Sequence, residues 1–424
     1  MNDFHPMPTA TPAAAPASAQ GVVYLDHAAS TPMITEAVTA MTEQLIRTGN
    51  PSSLHAPGRD ARRVVEESRE RIAAALGARP GEVVFTSGGT ESDNLAVKGL
   101  FWARRDEDPL RNKILSTAVE HHAVLDTLHW LAEHEHADVE LLPVDGLGCL
   151  EIDSFRTAVE RDPASVALAS VMWANNEVGT IQPLSEVVDI AHAHGIPVHT
   201  DAVQAVGQVP VDFAGSDLDL LTLTAHKVGG PYGVGALVVR RELALTPLLH
   251  GGGQERDVRS GTLDAPAIAG FATAVELAVK RQTEHFSRIC ALRNDLVERV
   301  LAEVSGAAMN GDPVCAVDHR LPGNAHLTFP GCEGDSLLML LDARGIACST
   351  GSACSAGVPQ PSHVLRAMGR DQEQARSSLR FSLGHSSTVA DVDALVGAIG
   401  PVVERARAAG VVAGVGSASK NVAG

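Results

Sequence analysis

Basic residues are scarce in this chain: 33 Lys and Arg stand against 51 Asp and Glu, a net charge of -18 over 424 residues. Nucleic acid is bound by clustered Lys and Arg, so this balance argues against it as a main partner and leaves basic proteins open. Long apolar runs are missing as well, and no stretch is long enough to span a bilayer. Residues 1–20 hold no Arg or Lys and no apolar core of the secretory kind. Ala and Pro dominate them, which predicts a disordered tail rather than a targeting signal. Cysteine is sparse, at Cys149, Cys290, Cys315, Cys332, Cys348 and Cys354, with no C-x-x-C pair. In a chain of this size that pattern speaks against a disulfide framework and fits a reducing cytoplasm. No internal repeat is visible.

What remains is an ordinary globular composition, 45% hydrophobic and 20% charged, in a chain too long for one small core. Short runs rich in Val, Ile and Leu alternate with helical periodicity. Strands are expected at Glu82–Ser87, Lys113–Ser116, Val166–Trp173, Val198–Asp201, Leu218–Thr224 and Gly235–Val239. Helices are expected at Glu91–Gly99, Ala123–Glu133 and Ser185–His194. The alternation predicts an α/β sheet, mostly parallel, with helices on both faces. Helical pattern from Ala265 to about Val304, then shorter strands at Ala325–Phe329, Ala347–Ser349 and Leu379–Ser382, predict a second, smaller α/β domain. The division expected is a tail over 1–20, a large domain over 21–270, a small domain over 271–405 and a flexible end over 406–424. The first helices are expected to pack partly with the small domain.

Several chemistry-bearing segments come directly after expected strands. Leu218 to Lys227 carries a lysine to the sheet edge, and Val228-Gly229-Gly230-Pro231 then turns the chain away. A lysine withdrawn from water favours its neutral amine, which can form a Schiff base. Ser87-Gly88-Gly89-Thr90 ends a strand and opens a helix, a backbone suited to phosphate. Taken alone these are also ordinary helix caps. Asp201, in His199-Thr200-Asp201-Ala202-Val203-Gln204, can keep a heteroaromatic nitrogen protonated or simply cap the residues after it. His121, in Glu120-His121-His122, offers a flat ring, and Asn175-Asn176-Glu177 offers an amide or only a turn. Together they supply a phosphate cradle, a stacking ring, a hydrogen-bonding amide, an acid and a buried lysine, the needs of pyridoxal phosphate.

With Tyr24-Leu25-Asp26, Asn50-Pro51-Ser52-Ser53, His226-Lys227, Gly251–Thr262, Gly351-Ser352-Ala353-Cys354 and Arg380-Phe381-Ser382, the chain resembles the cysteine desulfurases of the IscS/NifS type, from about Val23 to Val402. These belong to the class V aminotransferase group of fold-type I pyridoxal-phosphate enzymes. The resemblance implies a large domain with a mostly parallel seven-stranded sheet and a smaller α/β C-terminal domain. It implies pyridoxal 5'-phosphate held on Lys227, with Gly89, Thr90, Thr224 and His226 at the phosphate and His121 stacked on the ring. Asp201 would pair with the ring nitrogen, and Gln204 and Asn176 would contact ring substituents. Thr262 would reach the phosphate of the partner subunit in a homodimer. Arg380, with Asn50 and Asn176, would bind the substrate carboxylate.

The implied reaction takes sulfur from L-cysteine, releases alanine and leaves a persulfide on Cys354. Lys227 and His121 move protons, and an iron–sulfur scaffold or other acceptor protein collects the sulfur for cluster assembly or tRNA thiolation. Selenocysteine lysis or another class V reaction is the alternative. No resident metal is implied, although Cys354 could ligate a cluster iron transiently in a scaffold complex. No direct nucleic-acid or membrane partner is implied, and the location expected is cytoplasmic. Trp173 would add bulk near the ring. Cys348, six residues before Cys354, reads as a buried strand residue or as a second thiol able to take the sulfur.

Overall fold

The computed structural model describes residues 21–351 and 361–418. Cys354 lies outside the described residues. The first half of the chain runs β1 (Val23–Tyr24), α1 (Thr35–Leu45), α2 (Ala56–Ala75), β2 (Val83–Thr86), α3 (Gly89–Glu107), β3 (Lys113–Thr117), α4 (His122–Glu135), β4 (Asp138–Leu142), α5 (Ile152–Arg161), β5 (Val166–Ser170) and α6 (Leu184–His192). It continues with β6 (Val198–Asp201), β7 (Leu220–Thr224), β8 (Gly235–Val239), α7 (Ala265–Lys280) and α8 (Gln282–Glu303). The remainder is β9 (Ala308–Asn310), β10 (Asn324–Thr328), α9 (Gly334–Asp342), β11 (Ile346–Ala347), α10 (His363–Ala367), α11 (Gln372–Arg376), β12 (Ser378–Ser382) and α12 (Val389–Ala418).

Seven strands form the large sheet in the order β2-β8-β7-β6-β5-β3-β4. Pairing is parallel from β4 through β7, and β8 runs antiparallel to both β7 and β2. Strand alternation explains its burial on two sides. Val83 and Phe85 face one apolar cluster with Leu115, Leu221, Leu223 and Val238. Val84 faces the other with Ile114, Leu220, Leu237 and Val239. Helices α3 and α4 cover that second face, while α5, α6 and α7 cover the first.

A third apolar cluster gathers α8, α9, α12 and the antiparallel sheet β12-β10-β9. Strand β1 joins it by pairing parallel with β11. Helices α1 and α2 pack on α7, and Ala37, Val65 and Ile72 join the cluster of the large sheet. Helix α7 crosses the expected boundary at 270/271, so its apolar face gives the early helices a large-domain floor. Helix α12 runs to Ala418, through the stretch expected as a loose end; no proline interrupts it after Pro401, and alanine favours the helical state. Among the described residues, no helix is long and apolar enough to cross a membrane.

The sequence speaks against a disulfide framework, and a single pair, Cys290 on α8 and Cys315, stands within bonding distance, with Cα atoms 6.4 Å apart. Cys332 and Cys348 are free and buried, and Cys149 is free and partly buried.

Candidate active site

Strands β2, β3, β5, β6 and β7 all end at one edge of the large sheet, and the loops leaving them enclose a cavity of about 320 Å³. Its lining includes Gly89, Thr90, His121, Asn176, Asp201, Gln204, Thr224, His226, Lys227 and Arg380. Ligands bind at this edge of α/β sheets because strand ends converge there while the loops remain free to vary.

Lys227 closes a short 3-10 turn, Ala225–Lys227, directly after β7. Its Nζ donates to the carbonyl oxygens of Ala28 (2.5 Å) and Ala29 (2.8 Å). Burial, reinforced by the charge of Arg380, lowers the amine from its usual value to about 8, against the opposing pull of Asp201 and Asp26. The neutral form is therefore within easy reach.

Asp201 is buried at the end of β6, and its Oδ1 accepts from the N–H of Val203 at 2.9 Å. Burial raises its carboxyl to about 6 despite that hydrogen bond. A cationic ring nitrogen facing it would offset that burial cost. Beside it, the buried Oδ1 of Asp93 has no hydrogen-bond partner, and burial followed by the charge of Asp201 pushes the Asp93 carboxyl well up. Glu120, also buried, is raised to about 8 by the same cause.

His121 caps α4: its Nδ1 accepts from the N–H of Ala123 at 3.1 Å, which leaves the ring proton of the neutral form on Nε2. Burial and then the nearby Lys227 lower it to about 4, so the ring is uncharged at neutral pH and suited to stacking. His226 is lowered to about 4 for the same two reasons, in the same order, and stacks on Tyr232 with ring centroids 5.6 Å apart. Its Nδ1 lies 3.2 Å from the Ser30 hydroxyl.

Helix α3 begins at Gly89, so its first N–H groups and the Thr90 side chain face the cavity with the positive end of the helix dipole. A Cβ at Gly89 would press Val203 Cγ2 at 3.1 Å. The Thr224 hydroxyl donates to the carbonyl of Val234 at 3.3 Å, with its oxygen free to accept. Gln204 Nε2 donates to the carbonyl of Ala28 at 2.9 Å, tying the same backbone that holds Lys227. These residues fit a flat, anionic heteroaromatic cofactor: a phosphate at the α3 end, a ring against His121, a ring nitrogen at Asp201 and a carbonyl carbon at Lys227.

Arg380 reaches in from the small sheet. Its Nη1 donates to the Asn176 carbonyl at 2.9 Å and its Nη2 to Asp26 Oδ1 at 2.8 Å. Its buried Nε has no partner. The remaining donors suit a ligand carboxylate.

Not every expected residue joins this lining. Asn50 is exposed on the α1–α2 loop, with its Oδ1 turned onto the N–H of Ser52 at 2.9 Å. Thr262 is exposed as well. The loop that carries it is braced by a buried bidentate pair, Arg69 to Glu255, at 2.7 Å on both arms. Trp173 packs against the sheet core while its neighbour Met172 lines the cavity, since adjacent residues of an extended chain face opposite ways. Cys348 is buried and its thiol is pushed up to about 12 by that burial, which favours the structural reading. Sequence reasoning missed Asp26, Asp93, His363 and the carbonyls of Ala28 and Ala29. The carbonyls carry no residue-type signal at all.

A cavity that unites a lysine of lowered basicity, a ring-facing acid and a helix N-terminus defines the Schiff-base class of cofactor enzyme on an α/β sheet. The chain belongs to the family described as aminotransferase class-V, which matches residues 23–395. Over 394 residues it is 57% identical to the IscS-like cysteine desulfurase of Mycobacterium tuberculosis, covering 92% of this chain and 99% of that one. Among solved structures, a NifS-like protein superposes with a TM-score of 0.82 at 34% identity, covering 90% of this chain and 99% of that one. The structure described as SspA in complex with cysteine superposes with a TM-score of 0.73 at 34% identity, covering 85% and 98%. The fold is fold-type I.

Proposed function

We propose that this chain is a pyridoxal-phosphate-dependent cysteine desulfurase acting on L-cysteine as a homodimer. The observation that carries the reading is Lys227: an amine lowered to about 8 at the end of β7, sharing one cavity with Asp201, His121 and Arg380. The 57% identity to a cysteine desulfurase over nearly the whole chain supports the choice of substrate. Pyridoxal phosphate, when bound, would supply an electron sink for the substrate Cα. The α3 N-terminus, Thr90, Thr224 and His226 would hold its phosphate, and Asp201 would keep its ring nitrogen protonated. Arg380 orients the substrate carboxylate, assisted by Asn176. Lys227 Nζ, once free, takes the Cα proton. His121 Nε2 exchanges a proton with the substrate thiol.

Cys354 then receives the sulfur. Its thiolate forms the S–S bond, the substrate C–S bond breaks with its electron pair kept on carbon, and alanine leaves after protonation. An acceptor protein, for iron–sulfur assembly or tRNA thiolation, collects the sulfur. A reducing cytoplasm suits a reaction that needs this thiol free. Thr262, exposed and outside the cavity of its own chain, fits a role at a partner's phosphate.

The test is incubation of the holoprotein with L-cysteine, then alanine measurement and peptide mass spectrometry. Alanine should appear with one added sulfur on the peptide bearing Cys354, and Cys354→Ala should abolish both. Sulfide release at the wild-type rate from Cys354→Ala overturns the reading.

A further inference from the structure

The Asn175–Glu177 turn is fixed from within. Asn175 is fully buried, its Oδ1 accepts from the N–H groups of Glu177 and Val178 at 2.9 Å each, and its Nδ2 donates to the Val119 carbonyl at 2.9 Å. On one side this turn presents the Asn176 carbonyl to Arg380. On the other it presents the Glu177 carboxyl, which is buried and has no part in the chemistry described above.

That carboxyl is hydrogen-bonded to a residue that follows the segment bearing Cys354, and the glycine that precedes the segment lies beside it. Ser362 donates its hydroxyl to Glu177 Oε2 at 2.5 Å. The same oxygen of Ser362 caps α10 by accepting from the N–H of Leu365 at 3.1 Å, so holding the hydroxyl also holds the helix start. Next to it, His363 Nε2 lies 2.9 Å from the Glu120 carbonyl. At the other end, Gly351 has φ +86°, and a Cβ there would stand 3.4 Å from Glu177 Oε2 and 3.2 Å from His326 Nε2. Only glycine sits comfortably at that angle and that distance. Two stretches about ten residues apart in sequence thus converge on one carboxyl, one residue from the amide that lines the substrate cavity.

We propose that Glu177 is a positioning residue for sulfur transfer: through Ser362 it fixes the attachment point after the Cys354 segment to the turn that carries Asn176, with Gly351 lying beside the same carboxyl. This rests on the desulfurase reading. A buried glutamate that merely fills space would make the same contacts, so the test separates placement from stability.

Glu177→Ala, Ser362→Ala and the double variant are prepared as holoproteins. Sulfur transfer to Cys354 in a single turnover should fall about tenfold in each single variant, with little further loss in the double, because one hydrogen bond is removed from either side. The cofactor band and the cysteine concentration that half-saturates its spectral shift should stay unchanged. Glu177→Gln keeps an acceptor for Ser362 and should restore transfer to within about twofold. Hydrogen exchange in the peptide covering 361–368 should speed up in both single variants. Wild-type transfer in Glu177→Ala overturns the proposal. So does a loss of cysteine binding and thermal stability in step with transfer, or unchanged exchange. If the unmodified protein moves no sulfur, the desulfurase reading falls, while the exchange measurement still judges the Glu177 anchor.

Discussion

An ordinary lysine is an ammonium ion at neutral pH, and an ammonium ion cannot attack a carbonyl. Burial and Arg380 bring Lys227 down to about 8. Because the neutral amine is present above that value, capture of pyridoxal phosphate by the apoprotein should quicken as pH rises, half-maximal near about 8. Asp201 pulls Lys227 the other way, so Asp201→Asn should move the midpoint lower; stopped-flow absorbance of the cofactor band reads both. Lys227, Asp201 and His121 are legible in the sequence because rare reactive types stand directly after apolar runs. Asp26 enters there only as part of a motif, and Glu177 only as part of a turn. Their partners, Arg380 and Ser362, lie 354 and 185 residues away, and no local pattern announces a pairing at that range.

Elements are most legible where burial is complete. Gly235–Val239 has the bounds expected, since an uninterrupted apolar run marks it, and so does Val198–Asp201, buried throughout although only its first residue is apolar. Strand β4, Asp-Val-Glu-Leu-Leu, escapes sequence reasoning because it is the sheet edge, half exposed and polar in places. The helical run from Ala265 to Val304 is two helices, with Arg281 ending the first. Gly235 shows how close elements approach. It pairs with Thr224 on β7 and with Thr86 on β2, and a Cβ there would stand 2.8 Å from the Gly88 backbone and 2.9 Å from the Leu223 carbonyl. Gly235→Ala should push Gly88 away from its place before α3. We expect a loss of about 1–3 kcal/mol in stability and about a tenfold weaker hold on the cofactor phosphate. A thermal melt of the apoprotein and a cofactor titration measure the two effects.

At the scale of the whole molecule, the change of pattern after Ala265 is legible, but the antiparallel sheet β12-β10-β9 and the recruitment of β1 to its cluster are not. Strand pairing between β1 and β11, more than 300 residues apart, leaves no local trace. The proposed homodimer should sediment at twice the 44.2 kDa chain mass. Thr262→Ala should weaken cofactor binding about tenfold while leaving the apoprotein melt unchanged, as expected for a contact made across subunits. Arg380 belongs to the small sheet yet already grips a carboxylate, that of Asp26, and a main-chain oxygen of the large domain. A newcomer therefore meets a guanidinium whose charge is partly neutralised and whose free N–H groups point in set directions. Stray chloride gains little from such a group, whereas a planar two-oxygen anion matches its fork. Discrimination at this spot is by outline more than by sign.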